Sequence, residues 1–436
     1  MRSERIMIAP NDIAGYYGKL EKGLSDLGYS VIFANFYAER SGYAFDHSSW
    51  KLVAKAQRSL AKSWNRNGTI AADLRLSTVL LYYFYSLLTL IYSLNRIDTY
   101  IFVYGRSFFP WNLDLPILRI LGKKTISVIG HGSETRPPYL FYNGVSSASE
   151  EIDDALIKDM YRTTQSMKNQ IARIEKYSTY IVGSSVTCQL LTKNFIEMYA
   201  LRQPINLHVI QARTHELKNS ITILHSPSDP IVKGSSVIRD IINNIQARYP
   251  NFKIEFVEIS GVSNSEVIAA ISKADLVIDQ LWSDSPMAMI GYESASLGTP
   301  SLTFGAALST FKKIDEKIPL PIFGYFSSDE AQSVILDFIL NKHKRDELAT
   351  LQSGFVKEYA TIRNVAENFA RIIDNDIPQT WIANPNECLY FGGGGIPAEV
   401  SLKQMNALAK RYGIDSLNWI NAKKVLKEQK VGKGDA

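Results

Sequence analysis

Between residues 221 and 304, apolar runs of strand length alternate with stretches of helical period. Residues 221–225 form the first run, which breaks into the turn-rich loop Ser226-Pro-Ser-Asp-Pro-Ile-Val-Lys-Gly234. The periodicity then predicts a helix over 235–248, a strand over 253–258, a helix near 267–273 and a strand within 274–281. A helix starting at Ser285-Pro286 and stopped by Gly298, and a strand over 301–304, complete the series. Strand and helix in strict alternation imply a parallel sheet with crossover helices. Ligands of such sheets sit beyond the carboxyl ends of the strands, where the loops at Lys233 and at 282–286 fall.

The first half repeats the pattern less regularly. A strand over 5–10 leads through the turn containing Gly15 to a helix ended by Gly28, then to a strand over 29–35. The opening lacks a full Gly-x-Gly-x-x-Gly fingerprint, which disfavours a dinucleotide site. Gly15 would let backbone approach a ligand closely, or else serve only a tight strand–helix turn. Residues 50–64 set Lys51, Lys55, Arg58 and Lys62 at helical spacing. Residues 77–94 are eighteen uncharged positions, barely the length of a membrane span. Four tyrosines within them and a strand directly after argue against spanning, leaving a buried or interdomain helix or a membrane-surface patch. A strand over 99–104 exits through Gly105-Arg106, a helix over 114–121 ends at Gly122, and a strand over 124–129 exits through Gly130-His131-Gly132-Ser133-Glu134-Thr135-Arg136. That last loop joins imidazole, carboxylate and guanidinium within six residues. Helices over 153–177 and 186–199, the latter capped by Ser184-Ser185, flank a strand over 179–183.

Composition adds limits. At 436 residues, with 46% apolar and 21% charged positions, the chain holds two ordinary domains and is globular. Two cysteines, Cys188 and Cys388, make no disulfide framework, and Met1-Arg-Ser-Glu enters a strand without a signal-peptide pattern, so a cytoplasmic location is expected. Charge is uneven: residues 51–136 carry 12 Lys and Arg against 4 Asp and Glu. That stripe suits an anionic membrane surface or phosphate-bearing ligands; no nucleic-acid-binding signature accompanies it.

Lys233-Gly234, Ala274-Asp275 with Asp279-Gln280-Leu281, and Glu293-Ser-Ala-Ser-Leu-Gly-Thr-Pro300 occur in that order and spacing. They resemble the donor-binding half of GT-B glycosyltransferases, particularly the family 4 type that uses nucleotide-diphospho-sugars. The resemblance implies an α/β chain of two Rossmann-like domains whose parallel sheets face a cleft. Residues 1–200 would bind the acceptor and 201–378 the donor, joined by a linker over 200–206, with 379–436 a helical extension. It implies that Lys233 and Gly234 receive the diphosphate, with Ser228 beside them, and that Glu293 holds the ribose. The family's arginine before the lysine is missing, so Arg106, Arg136, main-chain amides or Ser228 would share in stabilising the leaving group. The first acid of the family's glutamate pair falls at Ser285, with Asp284 next to it. His131 would either take a proton from the acceptor or hydrogen-bond a sugar hydroxyl, and Glu134 stands where an Asp is usual.

The expected activity is therefore transfer of a sugar from a nucleotide-diphospho-sugar to a hydroxyl of a glycan or lipid-linked glycan, with retention favoured. No metal and no cofactor are expected: Asp374-Asn-Asp376 reads as a helix-ending turn. The rival is a catalytically silent module of the same fold that binds a glycan or nucleotide; an epimerase is a third reading. In the tail, Gly392-Gly-Gly-Gly395 reads as a flexible joint before two amphipathic helices over 399–412 and 416–428. Those helices are left to pack on the first domain or to bind a partner.

Overall fold

The computed structural model describes residues 4–36, 50–62, 75–207 and 220–431. Trp64, the far end of the expected basic helix, lies outside them. Among the described residues, twelve strands make two sheets. The first holds β1 (Arg5–Ala9), β2 (Ser30–Phe33), β3 (Thr99–Val103), β4 (Lys124–Val128), β5 (Tyr180–Gly183), β6 (Phe195–Glu197) and, far along the chain, β12 (Ile382–Ala383). Their order is β12-β6-β5-β4-β3-β1-β2, parallel throughout except where β12 meets β6. The second sheet runs β11-β10-β9-β7-β8 from β7 (Ser220–His225), β8 (Lys253–Glu258), β9 (Leu276–Ile278), β10 (Ser301–Phe304) and β11 (Tyr325–Phe326), all parallel. Strands such as β3, buried at every position, have both faces covered, which is why they read as unbroken apolar runs.

On one face of the first sheet, Leu20 and Leu24 of helix Tyr16–Asp26 pack with Val365, Phe369 and Ile373 of helix Ile362–Ile373. Residues 362–373 fall in the span expected for the donor domain, yet their apolar face lies in the first core. The other face takes Phe102, Phe108, Leu118 and Ile174 together with Met405, Leu408, Leu417 and Trp419 of the tail. The tail thus packs back on the first unit, deciding a question the sequence left open. Its glycines are no flexible joint: 392–395 are buried, Gly394 N donates to Leu140 O at 2.9 Å, and Gly395 N donates to Trp282 O at 3.0 Å. This strap ties the first unit to the second.

Four helix boundaries differ from the periodic reading, the first three for a local reason. The expected helix over 186–199 is replaced by turns and by β6, because the Glu175 carboxylate takes the amides of Thr192 and Lys193 at 2.6 and 2.8 Å and redirects the chain. The expected continuous helix through 354–373 is two, Lys342–Tyr359 and Ile362–Ile373, since Thr361 caps the second by accepting from Asn364 N at 3.1 Å. Ser285-Pro286 does not start a helix; the helix is Met289–Ser296. Ser283 Oγ donates to Ser285 O and Ser285 Oγ to Met287 O, at 2.9 and 3.0 Å, and these local bonds hold the stretch as a loop. The last tail helix is Ala422–Val431, preceded by a short turn of 3-10 helix at Ile414–Leu417.

Candidate active site

The carboxyl ends of β4, β7 and β9 point towards one another across the gap between the sheets. A cavity of about 470 Å³ lies there. Its wall from the first unit includes Ile13, Tyr16, His131, Arg136, Tyr199 and Arg202; Ser228, Asp284, Ser285 and Tyr292 face them from the second. A second cavity of about 370 Å³, between Gly23 and Thr361, lies away from these strand ends.

The β4 exit loop is held from within. His131 N donates to Glu134 Oε1 at 2.6 Å, and Tyr17 Oη and His131 Nε2 share a hydrogen bond of 2.7 Å. Burial pushes the His131 imidazole down to about 4 and the Glu134 carboxyl up to about 7, so the ring stays neutral at ordinary pH. A base that weak is a poor proton acceptor; a neutral ring is a good hydrogen-bond partner. Of the two roles open to His131, contact with a sugar hydroxyl fits better. Gly130 is required by close approach: a Cβ there would lie 2.6 Å from the Met198 sulfur.

Arg136 reaches across the cavity to the Asp284 carboxylate, and both side chains are mostly buried. Asp284 is fixed in turn by its own backbone, since Tyr199 Oη donates to Asp284 O at 3.0 Å. Arg202 is the other cation on the wall; its guanidinium sits 5.1 Å from the Tyr359 ring centre and 5.7 Å from that of Phe355.

Lys233 lies behind the wall. Its Nζ is 2.6 Å from Asp279 Oδ1, a carboxylate almost wholly buried at the end of β9. Gly234 follows with φ 73° and opens helix Ser235–Arg248; a Cβ there would press on Trp282 at 3.0 Å. Glu293 is buried within its helix and accepts from Asn264 Nδ2 at 2.8 Å, while Lys19 of the first unit feels its charge. Arg106 is exposed beside the Tyr104 ring, and Gly15, at φ 72°, opens helix Tyr16–Asp26.

Among the residues expected to act, the structure brings His131, Arg136, Ser228, Asp284 and Ser285 to one cavity. Lys233, Gly234, Glu293, Gly15, Glu134 and Arg106 do not border it. Sequence reasoning missed Tyr17, Tyr199 and Arg202. Arg202 sits in the linker, where only its positive φ of 68° in the structure marks it.

The overall architecture is shared with solved proteins. Anabaena Alr3699/HepE in complex with UDP and glucose aligns with a TM-score of 0.50 over 85% of this chain and 99% of that one, at 10% identity. The OtsA apo structure aligns with a TM-score of 0.50 over 86% and 100%, also at 10% identity. The chain has the GT-B fold. Neither protein-family models nor curated proteins match its sequence. At this identity the GT-B likeness speaks for architecture, and the chemistry must come from the cleft.

Proposed function

We propose that this GT-B protein transfers a sugar from a nucleotide-diphospho-sugar to a hydroxyl of a glycan or lipid-linked glycan, without a metal ion, in the cytoplasm. The observation that carries the reading is the shared cavity: Arg136 and Arg202 from one unit face Ser228 and Ser285 from the other, at the carboxyl ends of both sheets. That HepE, which shares this architecture, is solved in complex with UDP and glucose supports a nucleotide and a sugar as ligands.

As the glycosidic bond breaks, charge gathers on the departing diphosphate. Arg136, on exchanging Asp284 for phosphate, and the hydroxyl and main-chain groups around Ser228 are placed to neutralise it, with the N-terminus of helix Ser235–Arg248 behind them. Lys233 contributes from behind, by fixing the loop or by turning from Asp279 to the phosphate. Glu293 reaches a ribose only if the Asn264 contact is exchanged. His131 hydrogen-bonds the sugar. With no nucleophile assigned, the acceptor oxygen attacks from the side of the departing phosphate, which takes the acceptor proton, and configuration is retained.

The test is a panel of nucleotide-sugars incubated with the protein and an acceptor extract, followed by assay of released nucleoside diphosphate and of the new linkage by NMR. The reading expects release from one donor class, a retained anomer, and loss in Lys233→Ala. Near-wild-type rates in that variant would remove Lys233 from the mechanism. The second reading, a silent binding module, is favoured by the Arg136–Asp284, Lys233–Asp279 and Glu293–Asn264 contacts, which occupy all three groups. Nucleotide binding without turnover on any donor would select it.

A further inference from the structure

Helix Arg75–Leu94 is amphipathic in the wrong sense for a protein surrounded by water. Its buried positions are Thr78, Tyr82, Ser86, Thr89, Leu90 and Ser93, a hydroxyl at each but Leu90. Several are satisfied locally: Thr89 Oγ1 donates to Tyr85 O and Ser93 Oγ to Leu90 O, both at 2.7 Å, and Ser93 shares a 2.7 Å bond with Tyr100. The opposite stripe, at 80, 84, 87 and 91, is Leu80, Phe84, Leu87 and Ile91, exposed by 58%, 52%, 42% and 56%. A helix on the surface of a soluble protein turns its apolar stripe to the core. Hydroxyl faces turned to protein and leucine faces turned outward are what a helix adopts when its outer solvent is hydrocarbon.

Charge names the occupant. The helix packs against helix Lys51–Lys62, whose sequence holds Lys51, Lys55, Arg58 and Lys62 and no acidic residue. Lys51 and Lys55 are exposed. At the end of the apolar stripe Arg96 is exposed over the Tyr92 ring, and Trp50 meets that ring edge-on at 4.8 Å. An apolar band flanked by cations and by tryptophan and tyrosine is the composition of an interfacial membrane anchor. Ile120 is exposed by 84% on helix Leu115–Ile120, whose Leu115 and Leu118 belong to the core cluster that also holds Tyr82 and Leu90.

We propose that this helix pair docks the protein on an anionic lipid bilayer, the stripe at Leu80, Phe84, Leu87 and Ile91 lying in the boundary between headgroups and acyl chains. The helix lies along the surface and does not cross it: only a third of its 77–94 stretch is buried, but its inner side is buried against the protein from Thr78 to Ser93, with Tyr82 and Leu90 in the first core. Docking itself is independent of the transfer reaction; only its consequence, delivery of a lipid-linked acceptor, rests on that reading.

Vesicle flotation of the full chain tests it, comparing phosphatidylcholine alone with phosphatidylcholine containing 30%, a roughly physiological share, of phosphatidylglycerol. The wild-type chain should float with the anionic vesicles, lose that binding several-fold between low and high salt, and bind neutral vesicles weakly. L80E/F84E/I91E should bind at least ten-fold less, and K51E/K55E should lose the preference for anionic lipid. Circular dichroism and nucleotide titration of both variants should be unchanged, since none of these residues borders the cleft. Absence of flotation by the wild-type chain, or undiminished flotation of L80E/F84E/I91E, overturns the proposal. So does a wild-type dimer in sedimentation velocity that the triple variant converts to monomer, because the stripe would then be covered by a second copy.

Discussion

Arg136 and Asp284 form an ion pair across the cleft, joining the exit loop of β4 to the loop after β9, 148 positions apart. The strap behind it keeps it in place: a Cβ on Gly394 would lie 2.5 Å from the Arg136 guanidinium. Removing one partner leaves the other charge mostly buried and unpaired. Arg136→Met and Asp284→Asn should each lower unfolding stability by about 2–4 kcal/mol, a range just below that for fully buried pairs. The double variant should lose about 1–2 kcal/mol less than the sum. Urea unfolding of the four proteins checks this; strict additivity would mean that the pair does not couple.

Lys233 and Asp279 make a separate prediction. Asp279 Oδ1 takes the ammonium, and Oδ2 is buried without a partner among the described residues. Lys233→Met should therefore destabilise by roughly 3–5 kcal/mol, whereas K233M/D279N should recover most of it. If the double variant is stable yet inactive, the lysine's charge serves the reaction as well as the fold. A stable and active double variant would confine it to structure.

pH separates the two groups of the β4 loop. Burial lowers His131 from its ordinary 6.5 to about 4, so between those values the unfolded chain holds the extra proton and stability falls as pH falls. Glu134 is raised from 4.5 to about 7, so its contribution is full below pH 4.5 and is lost as pH rises through 7. Glu197, pushed up to about 7 by burial, acts in the same sense as Glu134. His131→Gln should flatten the acid-side loss, and Glu134→Gln the loss towards neutrality, by up to about 1.4 kcal/mol per pH unit in each window. Melting temperatures from about pH 4 to about pH 8, a range that brackets both windows, give the comparison. The same slope in variant and wild type would contradict the assignment.

The tail should prove inseparable from the first unit. Met405, Leu408, Leu417 and Trp419 are buried in the core that also holds Phe102 and Leu118. Leu408→Ala should cost about 2–5 kcal/mol, and a chain stopped after residue 378 should expose that core and aggregate. A truncated chain that melts like the full-length one would show the packing to be dispensable.

Much of this was legible from periodicity. The alternation of apolar runs and helical stretches gave β1 to β5 and β7 to β10 but not β6, β11 or β12, and the resemblance at Lys233-Gly234 and 293–300 gave the arrangement of the sheets around a cleft. What could not be read were contacts between distant residues. Nothing near Asp284 announces that Arg136 will reach it, and nothing near Lys233 says that Asp279 will hold its charge. Helix ends failed where a side chain took over a backbone group, as Glu175 does at Thr192 and Lys193 and Ser283 does at Ser285. The glycines at 392–395 looked like a hinge because composition cannot distinguish glycine chosen for freedom from glycine chosen for lack of volume. Beside Arg136 and Val232, it is volume that decides. Helix Arg75–Leu94 was readable in length and hydropathy, but not in which stripe faces inward.

On the proposed function, the cavity between the sheets binds a nucleoside diphosphate through Arg136. Calorimetric titration of wild-type protein and Arg136→Ala with UDP, GDP and ADP tests it most directly. One nucleotide should bind the wild type in the micromolar range or tighter, with at least ten-fold weaker binding to the variant while both remain folded. No binding by any of the three, or equal binding by the two proteins, would contradict it.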